Sequence, residues 1–273
     1  MRTIVNPSRQ EWANLCERPT IENATLNQAV TTILEDVKRN GDEAIFRLEK
    51  NFDKVELKQL LVSKAEINFA ISQVSEDLKL AIQLAKNNIE RFHASQKETI
   101  QKIETTDGVV CWRKSVAIEK VGLYIPGGTA PLFSTVLMLG IPAKLAGCKE
   151  IILCTPPSQD ESVNATLLYT ANLIGIEKIY KIGGAQAIAA MTFGTESVVA
   201  VDKIFGPGNQ FVTKAKELAQ LEGISIDMPA GPSELLVISD VTANPEFVAS
   251  DLLSQAEHGT DSQVLLLSDN QEF

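Results

Sequence analysis

The spacing of apolar positions changes character along the chain. From Ala24 to Arg39, Leu26, Val30, Ile33, Leu34 and Val37 recur every three or four residues, which predicts an amphipathic helix. Asn40-Gly41 stops it, and a second helix is expected over Asp42–Lys50. Lys58–Val62 reads as a short strand, and Ser63 is placed to cap a helix beginning near Ala65. Helical spacing, carried by Phe69, Ile71, Val74, Leu78, Ile82, Leu84, Ile89 and Phe92, then continues to about Gln96. Gly108–Lys114 and Ala117–Ile125 are strand-like.

After Val121 the pattern becomes a regular alternation. Strands are predicted at Val121–Ile125, Glu150–Thr155, Lys178–Ile182 and Lys203–Phe205, with helices at Leu132–Ala146, about Glu161–Ile174, Ala185–Phe193 and Phe211–Leu221. Leu235–Ser239 and Gln263–Leu267 bracket one more helix, with Asn244 as cap, Pro245 at its first position and Gly259 at its end. Strand-rich runs alternating with helical periods indicate a mainly parallel sheet covered by helices, an α/β fold.

Composition narrows the function. The 273 residues are enough for one large domain or two ordinary ones, and a hydrophobic share of 44% supplies a core. A formal net charge of −10 argues against a nucleic-acid groove. It leaves room for anionic cofactors held by backbone N–H groups. Cys16, Cys111, Cys148 and Cys154 form no C-x-x-C pair and fit a reducing compartment. The N-terminus lacks an apolar signal region and no run approaches membrane-spanning length, so a cytoplasmic protein without membrane or nucleic-acid partners is expected.

Two groups of residues carry candidate chemistry. Ile125-Pro-Gly-Gly128, Ile182-Gly-Gly-Ala-Gln186 and Phe205-Gly-Pro-Gly-Asn209 each follow a strand and precede a helix. Ligands of open parallel sheets bind at such carboxyl ends, where glycine admits close approach and helix N-termini favour anions. Tyr124 is placed to stack on a ring, and Gln186 and Asn209 add polar groups. The same glycines also suit tight turns with no ligand. Gly206 and Gly208 are followed by Phe211, so the dinucleotide fingerprint with a third glycine is absent.

The second group is Asp251-Leu-Leu-Ser-Gln-Ala-Glu-His-Gly259. Gln255 and His258 are three apart on one expected helix face, half of a zinc site; alternatively His258 only meets the last helix carbonyls. His93 has no spaced metal-binding partner and reads as a surface or interface residue. Ser233, in Asp227-Met-Pro-Ala-Gly-Pro-Ser-Glu234, is a candidate ligand contact without the G-x-S-x-G setting of a nucleophile. Cys154, a strand-end thiol, is either a nucleophile for an aldehyde or, the reading favoured here, buried packing.

These segments, with Val121-Gly-Leu-Tyr-Ile-Pro-Gly-Gly128, Gly183-Gly-Ala-Gln-Ala-Ile-Ala189 and Asp202-Lys-Ile-Phe-Gly-Pro-Gly-Asn209, together resemble the histidinol dehydrogenase family. The resemblance implies a cytoplasmic homodimer with one zinc per subunit, oxidising L-histidinol through L-histidinal to L-histidine with NAD. It places Tyr124, Gln186 and Asn209 at NAD, Gln255 and His258 on zinc, and Ser233, Gln255 and His258 around the substrate. It also implies two Rossmann-like domains with mainly parallel sheets, the second inserted into the first. The expected division is an N-terminal segment 1–23, a first domain of 24–123 and 232–273, and an inserted NAD-binding domain 124–231. Family members continue beyond the position of Phe273, where the resemblance places the catalytic Glu-His pair. No catalytic residue is then expected within this chain, which reads as an N-terminal fragment, inactive alone. The competing expectation is a non-catalytic dinucleotide- or metal-binding module.

Overall fold

The computed structural model describes residues 3–17, 23–127, 132–229, 234–257 and 262–270. In chain order its elements are α1 (Trp12–Leu15), α2 (Asn23–Phe52), α3 (Lys64–Gln73), α4 (Glu76–Ala94), β1 (Lys102–Thr106), β2 (Val109–Trp112), β3 (Lys120–Tyr124) and α5 (Phe133–Ala146). There follow β4 (Glu150–Thr155), α6 (Ala165–Leu173), β5 (Lys178–Lys181), α7 (Gly184–Phe193), β6 (Lys203–Phe205), α8 (Gln210–Leu221), β7 (Ser225–Ile226), β8 (Glu234–Ser239), α9 (Pro245–Ala256) and β9 (Gln263–Ser268). Contacts divide the chain into two compact units, Thr25–Pro229 and a second made of Met1–Ala24 with Ala230–Phe273.

In the larger unit the predicted alternation forms a five-stranded sheet in the order β5-β4-β3-β6-β7, with every pairing parallel. Both faces are covered, so the strands are near-continuous apolar runs. The two-residue period sorts them. Val121, Leu123, Ile125, Ile151, Leu153 and Ile179 pack with α3 to α6, while Tyr124, Ile152, Cys154, Tyr180 and Ile182 pack with α2, α7 and α8. Helix α7 is buried at every position from Ala185 to Thr192. It lies close over β3, where a Cβ on Gly122 would overlap the Met191 sulfur.

Four local expectations change. The long helix expected from Ala65 breaks in two: Val74 is extended, and Ser75 Oγ accepts from the Leu78 N–H to start α4. Lys58–Val62 makes a single antiparallel bridge from Leu61 to Tyr180, because the capping box at Ser63 turns the chain into α3 at once. Helix α6 starts at Ala165 rather than Glu161; Asn164 Oδ1 accepts from the N–H groups of Thr166 and Leu167. Strand β1 was not foreseen; it pairs antiparallel with β2 across Asp107-Gly108, and both strands are exposed throughout. The stop at Asn40-Gly41 holds: Gly41, at φ 53° and ψ −133°, is non-helical and divides α2 into two helices at a kink.

In the smaller unit, β8 and β9 pair in parallel and α9 connects them, a strand–helix–strand unit. Asn244 caps α9 by accepting from the Glu246 N–H, with Pro245 at the first turn as expected.

Candidate functional site

The chain runs outward from β3 to β4 and β5, then returns to lay β6 on the other side of β3. At such a reversal the loops leaving the two central strands diverge and open a crevice at their carboxyl ends. Those loops are Ile125–Gly127 and Gly206–Asn209, whose Gly127, Pro207 and Asn209 are exposed. Asn209 caps α8: its Oδ1 accepts from Phe211 N–H at 3.0 Å and Val212 N–H at 3.1 Å, so only the amide nitrogen remains outside the cap. Gly206 is clamped on both sides. Its N–H donates to Asp227 Oδ2 at 2.8 Å, and its carbonyl accepts from Lys216 Nζ at 2.8 Å. Lys216 is buried and also ion-paired to Asp227. It falls on the apolar stripe Val212, Ala215 and Ala219 of α8, a cation the apolar period did not single out.

The turn from β5 into α7 ends beside a second buried polar cluster. Glu49 of α2 is fully buried, and its Oε1 accepts from Gln186 Nε2 at 2.8 Å and from Gly183 N–H at 3.0 Å. The next N–H, of Gly184, donates to Tyr124 Oη at 3.0 Å. Two of the N-terminal amides of α7 are therefore already occupied by protein groups. Burial pushes the Glu49 carboxyl up to about 8, although Gln186 and the Gly183 N–H favour its charged form; the neighbouring Asp53 adds to the rise. Asp53 is itself raised, chiefly by burial. Burial raises the Tyr124 phenol and the Cys154 thiol well above their ordinary ranges, so Cys154 is a packed thiol and no nucleophile.

Sequence reasoning did not single out Glu49 or Asp53. The signal was present: Glu49 follows Ile45 and Leu48 on the buried stripe of α2, where a carboxylate has no place without partners. Tyr124 and Gln186, expected near a cofactor, are buried at 4% and 2% exposure and meet on this cluster, whereas Asn209 is exposed. The turn glycines have internal reasons. A Cβ on Gly127 or Gly183 would press on Pro156 at 2.7 and 2.8 Å. One on Gly184, at φ +55°, would meet the Gln186 side chain at 2.8 Å, and one on Gly206 or Gly208 would overlap Tyr124 or Val212. These contacts account for the glycines as turn formers, so glycine content alone does not mark a ligand site. Gly128 lies outside the described residues.

The sequence profile described as "Histidinol dehydrogenase" matches residues 16–273. The chain belongs to the histidinol dehydrogenase family. Among family members, the histidinol dehydrogenase of Bacteroides thetaiotaomicron is 56% identical over 273 residues, covering 100% of this chain and 64% of that protein. That of Pasteurella multocida is 56% identical over 261 residues, covering 96% of this chain and 60% of its own length. A crystal structure of histidinol dehydrogenase from Elizabethkingia anophelis superposes with a TM-score of 0.91 at 61% identity, covering 100% of this chain and 63% of that one. The chain thus spans about 64% of the length of the Bacteroides relative.

The remaining residues expected in a histidinol dehydrogenase site lie on the smaller unit. Ser233 and His258 fall outside the described residues. Gln255 is half-buried near the end of α9, and its Nε2 donates to Ser262 Oγ at 3.2 Å, which leaves the amide oxygen as a donor for a metal. Among the described residues there is no group of three His, Cys, Asp or Glu side chains able to hold a metal ion. Of the two residues that the resemblance assigns to zinc, Gln255 alone lies among the described residues, and one neutral amide oxygen is not by itself a zinc centre. Among the described residues no helix is long and apolar enough to cross a membrane.

Proposed function

We propose that this chain carries the nucleotide-binding part of a histidinol dehydrogenase, an enzyme of histidine biosynthesis. Its reaction is the NAD-dependent oxidation of L-histidinol through L-histidinal to L-histidine. The carrying observation is the family match over residues 16–273, joined to a parallel sheet whose order reverses between β3 and β6. NAD supplies the hydride acceptor when bound. The chain's own residues bind and orient it. Asn209 is exposed at the crevice and offers its amide nitrogen, while Tyr124 and Gln186 support the Gly183–Gly184 turn from its buried side.

The finer assignments belong to the same reading. Gln255 and His258 are proposed as zinc ligands, with Ser233 beside them for histidinol. The protein is proposed to act as a cytoplasmic homodimer, with two Rossmann-like domains, the second nested in the first. Gln255 and His258 supply two of the three protein ligands a catalytic zinc takes, and the chain covers 64% of its Bacteroides relative, so the 273-residue chain is expected to bind zinc weakly and not to turn over histidinol by itself. Histidinol-dependent NADH formation, assayed for this chain and for a chain extended at its C-terminus, tests the reading. Activity in the extended chain alone supports it, and activity in neither overturns it. A chain that binds NAD in both forms without oxidising histidinol is instead the dinucleotide-binding module.

A further inference from the structure

Glu49 is a fully buried carboxyl group with no cation paired to it among the described residues. Its two oxygens differ. Oε1 has two donors, Gln186 Nε2 and the Gly183 N–H. Oε2 is buried and has none. The group beside it is the half-buried Asp53 carboxyl, one helical turn on, whose Oδ2 would lie 3.4 Å from a Cβ on Gly183. Tyr124 on β3 and Cys154 on β4 also face the cluster, both uncharged. A bare anionic oxygen here, next to a second carboxylate, has nothing to offset it. A proton on Oε2 removes the charge and gives Asp53 a donor.

We propose that Glu49 is a positioning residue held as the neutral acid, donating from Oε2 to Asp53 while Oε1 fixes Gln186 and the Gly183 N–H, and that loss of this proton to water loosens the β5–α7 turn. Ionisation strengthens the two bonds to Oε1. Burial and the Asp53 charge oppose it more strongly, and water admitted to Oε2 past Asp53 relieves both. The adjoining Gly183–Gly184 amides lose order with it. If NAD binds at this end of the sheet, as proposed above, the same proton then sets nucleotide affinity.

Three measurements on the 273-residue chain separate the parts. In protein carrying 13C-labelled glutamate side chains, one carboxyl should titrate near pH 8 and be missing from Glu49→Gln. Hydrogen-exchange protection of the Gly183 and Gly184 amides, corrected for intrinsic rates, should fall about tenfold across that titration, the equivalent of losing one hydrogen bond. In Glu49→Gln, which keeps an acceptor for Gln186 and a donor for Asp53, protection should stay flat. Should Glu49→Gln fail to fold, Asp53→Asn must lower the glutamate midpoint by removing the neighbouring charge. A Glu49 midpoint in the ordinary carboxylate range, or protection indifferent to it, overturns the inference. NAD titration at pH 6 and pH 9 is the third arm. A turn that loosens while NAD shows no binding at either pH sinks the nucleotide reading and leaves the shared proton standing.

Discussion

Gly206→Ala is the sharpest test of the crevice architecture. Gly206 sits at φ +133°, and a Cβ there would overlap the Tyr124 carbonyl oxygen and lie 2.9 Å from its carbon. The obstacle is backbone of the adjacent strand, so no side chain can swing aside; β3 and β6 must part where the loops diverge. The backbone conformation alone costs an alanine about 1–3 kcal/mol. Separation also stretches the bonds from Gly206 to Asp227 and Lys216, charge-assisted contacts worth about 1.5–3 kcal/mol each when lost. Even partial loss brings the total to roughly 3–5 kcal/mol, a large part of the stability of a typical domain. Gly223→Ala is the matched control. Gly223 has φ +89° with nothing within 4 Å of a Cβ, so it carries the conformational cost without the clash. Urea unfolding followed by circular dichroism should rank Gly206→Ala about 2 kcal/mol below Gly223→Ala, by the contacts just counted. Equal destabilisation by the two variants would refute the argument that the strands are packed to backbone contact at this point.

Asn209→Ala removes a helix cap and should cost about 1 kcal/mol, while Asn209→Asp restores the cap without the amide nitrogen; if NAD binds to Asn209→Asp as to the parent, that nitrogen is not a ligand contact. Gln186→Ala strips a donor from buried Glu49 and should destabilise by about 1–3 kcal/mol, so a variant melting like the parent would exclude the hydrogen bond. For pH, the sign follows from a carboxyl raised on folding: the folded state binds the extra proton, so Glu49 contributes stability below its unfolded value and loses it as pH rises towards about 8. Urea midpoints of the parent and Glu49→Gln should therefore diverge with pH, the parent falling relative to the variant by at most about 1.4 kcal/mol per pH unit in that window, and parallel curves would count against it. Calorimetric titration of the chain with zinc should give weak binding, and tight stoichiometric uptake would show that ligands have been overlooked.

The sheet was legible because buried parallel strands are short apolar runs whose ends coincide with glycine and proline; Glu150–Thr155 and Lys203–Phe205 match in both limits. The break between α3 and α4 was not, because Val74 continues the helical spacing and only Ser75, one hydroxyl, marks the stop. For the site, apolar period shows which face of a helix is inward but not which polar residue tolerates being there. Glu49 and Lys216 both sit on inward faces, and their partners come from distant segments, Gly183 with Gln186 and Gly206 with Asp227. The sequence marks Gln186 as a polar group at a turn but not its burial, for the same reason: the acceptor it faces is 137 residues earlier in the chain.

The kink at Gly41 does more than end one helix and begin another. Glu196 accepts from the Asp42 N–H, and the Asp42 carboxylate in turn accepts from the Thr195 and Ser197 hydroxyls, so the second half of α2 is pinned at its first residue by the loop after α7. A Cβ at Gly41 would collide with that same Glu196 carboxylate. The angular phase of Glu49 and Asp53 is thereby counted from Asp42, not from the start of α2. An insertion or deletion among residues 25–40 would rotate the first half-helix on the core and leave both carboxyl groups facing the turn they face now. The joint works as a clutch: it lets the outer half-helix drift over evolutionary time while the geometry beneath Gly183 keeps its setting.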